Sequence, residues 1–415
     1  MSAVAVPEPD PQIDSVREQA DDLLDDAVAM RRRLHEWTEL GNDLPITRDA
    51  VLESLEGLPV DVTTHDTTSG VVALLEGSRP GPTMLLRGDM DALPMPEDTG
   101  LDFASRVDNA MHACGHDTHT AMLAGAASLL SERRDDIAGR VLFMFQPGEE
   151  GHHGARFMLE EGLLDVPPLS DGTESPVDAA MAIHIMSSLP AGWLAARGGS
   201  TMASADTLRI RITGKGGHAS APHHAVDPIP VACEVVQSLQ TMITRSIDVF
   251  NPAVVTVGRI SAGTTNNVIP ESAEIEGTIR AVSEHSRRKV HDGIQRVANG
   301  IAGAHGCGVD VEIDDGYPVT VNDDVFADFA LDTAAAVAGT DHTVEMPNPI
   351  MGAEDFSYVL QNVPGAMVFL GGTPHSMDPS TAPPNHSNRV DFDESAMTTG
   401  ISLYAAAALR HLAPA

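Results

Sequence analysis

Positive charge is what this sequence has least of. Its 415 residues carry 25 Lys and Arg against 60 Asp and Glu, a formal net charge of −35. A phosphate backbone or an anionic membrane surface would be repelled by such a chain, which argues against nucleic acid and membrane as partners. Lysine is scarcer still, at Lys215 and Lys289 alone, and the acidic residues are spread along the whole length. Such a surface suits very high salt, where screening removes most of the self-repulsion and the carboxylates keep the protein hydrated. This points to a salt-accumulating, halophilic cytoplasm; a GC-rich genome, which also favours Arg over Lys, is the alternative. Melting curves against KCl separate the two, since a halophilic chain gains stability towards molar salt and an ordinary acidic chain stays flat.

Cysteine is nearly missing as well. Cys114, Cys233 and Cys307 are odd in number and widely spaced, which is not a disulfide framework and fits a reducing compartment. The opening "MSAVAVPEPDPQIDSVREQADD" has no basic region followed by an apolar one, its first residues, ahead of 13, read as frayed, and no later run approaches about 18 uninterrupted apolar residues. Signal, anchor and membrane span are therefore not expected, and a cytoplasmic location is.

What the chain does have is length and apolar content. At 415 residues, 42% hydrophobic, it exceeds one typical core and suffices for two domains. Apolar residues at helical spacing predict a helix from 13 to about 35. Short apolar runs at "VVALLEG", "TMLLRGD", "RVLFMFQPGEE" and "AMAIHIM", with a helical stretch from Thr118 to Arg134, predict an α/β domain with a mainly parallel sheet flanked by helices. From about Ala196 the texture becomes strand, helix, strand, strand, helix, strand, the pattern of a small α+β domain inserted in the larger one. The expected boundaries are 1–195 and 316–415 for the larger domain and 196–315 for the insert. "GGTPHSMDPSTAPPNHSN" reads as a long loop.

Four apolar runs end abruptly in residues that bind metals or move protons. "LLRGDMDALP" supplies Asp89 and Asp91, "HACGHDTHT" supplies Cys114, His116, Asp117 and His119, "FMFQPGEEG" supplies Glu149 and Glu150, and "AMAIHIM" supplies His184. Ligands collect at the carboxyl ends of strands in open α/β sheets, so these residues can converge. Thiolate, imidazole and carboxylate from Cys114, His116, Glu150 and His184 form a set that divalent transition metals favour. Of the adjacent glutamates, one can ligate while the other takes a proton from water; in a solvated loop both would be surface charge. His119 lies one helical turn beyond His116 and either faces the same side or merely packs.

In order along nearly the whole chain, "RRRLHEWTELG", "LLRGDMDALPMPEDTG", "HACGHDTHTAMLAGAA", "FMFQPGEEGHHGARFMLEEG", "AIHI", "GKGGHASAPH", "NNVIPESAEIEGTIR" and "GAEDFSYVL" resemble the signatures of the M20 metallopeptidase family. They are most similar to its amidohydrolase branch, with hippurate hydrolases, N-acyl-L-amino-acid amidohydrolases and auxin-conjugate hydrolases. The resemblance implies a catalytic domain interrupted by a lid that also serves dimerisation, so a homodimer is expected. It implies two divalent metal ions, Mn²⁺ or Zn²⁺ first and Co²⁺ or Ni²⁺ next, held by Cys114, His116, Glu150, His184 and His386, with Cys114 as a candidate bridge. Glu149 would be the general base, and Asp91 and Asp117 would orient a ligand imidazole, Asp91 having a plain turn cap as its alternative. His218 would stabilise the oxyanion, Asn267 would meet the substrate carbonyl, and Arg280 its carboxylate, a surface ion pair being the alternative for Arg280.

The family pattern around the last ligand is H-x-P-x-F, and here Asn388 and Val390 stand in place of the proline and phenylalanine. His375 accordingly competes with His386. Thr38 replaces another family proline, at a loop entry. The implied activity is hydrolysis of the amide bond of a small N-acyl amino acid. A carboxypeptidase or dipeptidase, an N-acetyl-diaminopimelate deacetylase, or a non-catalytic metal- or peptide-binding protein are the rival readings.

Overall fold

The computed structural model describes residues 11–414, so the start read above as frayed, residues 1–10, lies outside them. The chain forms two compact units. The larger runs to Gly199 and resumes over Val321–Pro347 and Tyr358–Ala415; the smaller comprises Ser200–Thr320 and Asn348–Ser357. The segment 348–357 was not part of the insert as read from sequence, because nothing in its composition separates it from its neighbours.

In the larger unit an eight-stranded sheet has the order Val60–Thr64, Val71–Glu76, Ala138–Gln146, Arg79–Asp89, Val177–Pro190, Gly365–Thr373, Leu194–Ala196, Thr343–Glu345. The four central strands, Ala138–Gln146 through Gly365–Thr373, run parallel. Their apolar runs are buried almost without break, as expected for strands covered on both faces. Antiparallel pairing enters on either side of them, at Val60–Thr64 with Val71–Glu76, Val71–Glu76 with Ala138–Gln146, and Leu194–Ala196 with Gly365–Thr373.

Arg87 pairs with Ala182, so two residues further along each parallel strand Asp89 and His184 lie level. The loop after Gln146 leaves the same end of the sheet, which is how distant motifs reach one place.

The N-terminal helix is two helices, Pro11–Asp22 and Leu24–Glu36, interrupted at Leu23. The helix expected from Thr118 begins two residues earlier and spans His116–Glu132. No helix of the described residues is long and apolar enough to cross a membrane.

The smaller unit is a four-stranded antiparallel sheet in the order Ala253–Ala262, Ser272–Ala281, Ala205–Thr213, Gly308–Tyr317. Burial alternates residue by residue along Ala205–Thr213, the period-2 signature of a sheet with one wet face. Helices Pro228–Ser246 and Glu284–Ala304 cover the dry face with Val231, Val235, Leu239, Val290, Ile294 and Ala298. The wet face carries crossed ion pairs such as Arg211–Glu274 at 2.8 Å and Arg259–Glu276 at 2.6 Å, exposed and individually weak.

One pair in this unit is different. The fully buried Asp206 carboxylate accepts from Arg287 Nε at 3.0 Å and Nη2 at 2.6 Å, from the Gly316 N–H at 3.1 Å, and pairs with His291 Nε2 at 2.8 Å. Burial alone would raise the Asp206 pKa, but His291 and Arg287 overcome it and hold the carboxyl below its ordinary range. A folded pKa below the unfolded one, about 3.9, contributes stability that is complete above the unfolded value and lost as pH falls through the folded one. Arg287→Met is expected to cost about 3–5 kcal/mol, as for a buried charge stripped of its partner. Urea unfolding at neutral pH measures it; a loss under about 1 kcal/mol would show that His291, the Gly316 N–H or water satisfies the carboxylate without the guanidinium.

Candidate metal centre

Gly115 sets the geometry of the candidate metal-ligand motif. It precedes helix His116–Glu132 with φ +90°, and a Cβ there would lie 2.4 Å from Ile185 Cγ2. Only glycine accepts both the left-handed backbone and the close approach. Cys114 therefore ends the loop, His116 starts the helix, and the two side chains project into one buried space.

Around Cys114 the distances are short. Its Sγ lies 3.3 Å from His184 Nε2 and 3.2 Å from His386 Nε2, and His386 Nε2 lies 3.3 Å from Glu150 Oε1. His116 Nε2 stands 4.0 Å from Glu149 Oε2. Two triads share the sulfur, Cys114–His116–His184 and Cys114–Glu150–His386, each with ligand atoms within 4.8 Å of one another. His116, Glu149 and Glu150 form a third such group.

A pair of divalent ions fits these residues. His116 is fully buried, yet neither of its ring nitrogens makes a hydrogen bond, a rare condition that ligation would relieve. Burial pushes the Cys114 thiol up, and the nearby Glu150 charge adds to it; burial also holds His184 well below the usual imidazole range, aided by His119. A neutral imidazole is a competent ligand, and a buried thiol becomes a thiolate beside a cation. Sulfur and imidazole lean towards Zn²⁺ on softness, the carboxylates towards Mn²⁺.

Asp91 caps the turn that bears the two glutamates and also faces an imidazole. Its Oδ1 accepts the Glu149 N–H at 2.8 Å and its Oδ2 the Glu150 N–H at 3.0 Å, while Oδ1 stands 3.5 Å from His116 Nδ1. One carboxylate thus clamps both glutamates and faces the imidazole. Asp117 departs from expectation. Its carboxylate binds Arg31 Nε at 2.9 Å and His35 Nδ1 at 2.8 Å rather than a ligand imidazole. Successive residues of a helix point about 100° apart, so Asp117 cannot follow His116 into the site. His35 is raised to about 9 there: burial opposes its charge, and Asp117 outweighs burial.

His119 is spoken for. The Ile185 N–H donates to its Nε2 at 2.7 Å, which leaves Nδ1–H to donate to Asp89 Oδ1 at 2.5 Å. Asp89 also pairs with Arg87 at 2.6 Å. The ring bridges two strands as a neutral tautomer. Of the two C-terminal candidates, His386 faces Cys114, while His375 is exposed and bonds Asp393 at 2.8 Å. Val390, which stands where the H-x-P-x-F pattern has its phenylalanine, is buried with Met111, Ala113, Ile185 and Phe392.

In the smaller unit His218 pairs with Val268 on a two-stranded ribbon, and the Ala219 N–H donates to the Asn267 carbonyl at 3.1 Å, so His218 and Asn267 are neighbours. Arg280 lies half-buried on Ser272–Ala281, its charged form disfavoured by burial and supported by Asp206.

A family model described as Peptidase family M20/M25/M40 matches residues 85–410. Thermostable carboxypeptidase 1 of Saccharolobus solfataricus is 37% identical over 96% of this chain and 98% of its own length. N-acetylcysteine deacetylase of Bacillus subtilis is 39% identical over 83% of this chain and 87% of its own. Among solved structures, the YXEP protein of Bacillus subtilis, described as a dinuclear metal-binding peptidase from the M20 family, superposes with a TM-score of 0.80 at 34% identity. It covers 94% of this chain and 99% of that one.

Proposed function

This chain belongs to peptidase family M20/M25/M40, and from that premise we propose that it hydrolyses the amide bond between an acyl group and an amino acid. The observation that carries the reading is the gathering of Cys114, His116, Glu150, His184 and His386 beside Glu149. Those five side chains would hold two divalent ions.

When bound, such ions make water acidic and polarise the amide carbonyl. Glu149 accepts the proton of the attacking water and returns it to the amide nitrogen as the C–N bond breaks. Asp91 fixes that glutamate by gripping its backbone N–H. The proposal gives His218 the developing oxyanion, Asn267 the substrate carbonyl, and Arg280 the substrate carboxylate through its planar fork. A homodimer through the smaller unit and a cytoplasmic, halophilic setting complete it; for the latter, the melting temperature is expected to rise steadily from low to molar KCl.

A second reading, carboxypeptidase or dipeptidase, is favoured by the likeness to the carboxypeptidase. One assay separates them: N-acetyl, N-benzoyl and indole-acetyl amino acids beside dipeptides, in high salt, on chelated and metal-reloaded protein. Turnover of the acylated amino acids well above the dipeptides is the expected result; dipeptides alone as substrates would overturn it.

A further inference from the structure

We propose that Asn385 is a positioning residue of the metal centre, a side-chain knot that holds the segments bearing Cys114, His184 and His386 in one register. It rests on the metal-site reading above. All hydrogen-bonding capacity of the amide is used. Its Oδ1 accepts from the Ser187 N–H at 3.0 Å and the Ser187 hydroxyl at 3.1 Å, and its Nδ2 donates to the Cys114 carbonyl at 3.2 Å and the Ile185 carbonyl at 3.0 Å. An asparagine can do no more with two donors and two lone pairs. The knot joins chain segments separated by 70 and 272 residues, as Cys114 is from His184 and from His386.

His386 shows why a knot is needed. It has φ +68°, in the left-handed region that a residue with a Cβ avoids, and such backbone persists only where the surroundings over-determine it. Those surroundings are the Asn385 amide on one side and the His386 N–H, donating to the Ala113 carbonyl at 2.8 Å, on the other. With the loop pinned there, Nε2 of His386 falls 3.2 Å from the sulfur. An apolar side chain at 385 could fill the space but would tie down none of the three segments. Aspartate would keep the Ser187 bonds and set negative oxygen against two carbonyls.

The test titrates metal-stripped full-length protein with Zn²⁺ against a competing chelator, for the parent, Asn385→Ala, Asn385→Asp, His386→Ala and the 385/386 double alanine variant. Loss of an orienting partner costs about 10- to 100-fold in metal affinity, and that loss is expected in both Asn385 variants. The stripped variants should keep the stripped parent's circular dichroism and melt within a few degrees of it. On top of His386→Ala, Asn385→Ala should add less than its own effect. Should Asn385→Ala fail to fold, the near-isosteric Asn385→Asp decides; if neither folds, the residue is needed for folding and the proposal is overturned. Unchanged Zn²⁺ affinity in the variants, or full additivity in the double variant, also overturns it. A parent that binds no Zn²⁺ instead sinks the metal-site reading itself, whereas a parent that binds beside variants that bind equally sinks only the role of Asn385.

Discussion

Glu149→Gln is expected to lower kcat by about 10³-fold, within the usual range for loss of a general acid–base group, with KM and metal content close to the parent. The substitution keeps the shape and volume of a nearly buried side chain and leaves the Glu149 N–H on Asp91. It removes only the basicity. A group that takes and returns the proton in the transition states, as proposed for Glu149, should lower kcat and kcat/KM together when its basicity is lost. A steady-state comparison with metal analysis checks this, and activity within tenfold of the parent would remove Glu149 from the chemistry. A non-catalytic binding protein, by contrast, would have no turnover to lose.

Metal removal should have an effect at least as large. Stripping with a chelator is expected to cut hydrolysis by about 10³-fold or more, since several kcal/mol of charge stabilisation are withdrawn and about 1.4 kcal/mol is tenfold; reloading should restore it. Stripped protein should also melt lower, because the ions bind the folded state. The direction of the pH dependence follows from the proposed ligands. Burial keeps the Cys114 thiol protonated near neutrality, so binding must release its proton, and apparent affinity should fall as pH falls. Calorimetry in buffers of different ionisation enthalpy reads that proton. Activity surviving exhaustive chelation would sink the metal requirement.

The parts legible in the sequence are those whose signal is local. Cys114, His116, Glu149, Glu150 and His184 each close an apolar run or open a helix, and a strand end or helix start can be read from neighbours. Three of the four parallel strands followed from the apolar runs "TMLLRGD", "RVLFMFQPGEE" and "AMAIHIM" and the helix read among them. The antiparallel flank did not, because a run such as "VVALLEG" looks the same whichever way its partner points. Asp117 and His119 were ambiguous for a related reason: spacing says which face a residue occupies, not which partner arrives there. Arg31 and His35 claim Asp117 from 86 and 82 residues away, and the Ile185 N–H claims His119 from 66. Asn385 left no signal, since its bonds run to residues 198, 200 and 271 positions distant and its flanking prolines and serine read as loop.

At position 386 the backbone and the chemistry want different residues. Judged by main-chain comfort alone, a left-handed site favours glycine or asparagine, by about 1–2 kcal/mol over a residue with an ordinary side chain. A screen or design that rewards heat resistance in the absence of metal is therefore drawn to replace this histidine, and its most robust winners would be those that had discarded a proposed metal donor. Libraries built to harden the scaffold should keep codon 386 constant.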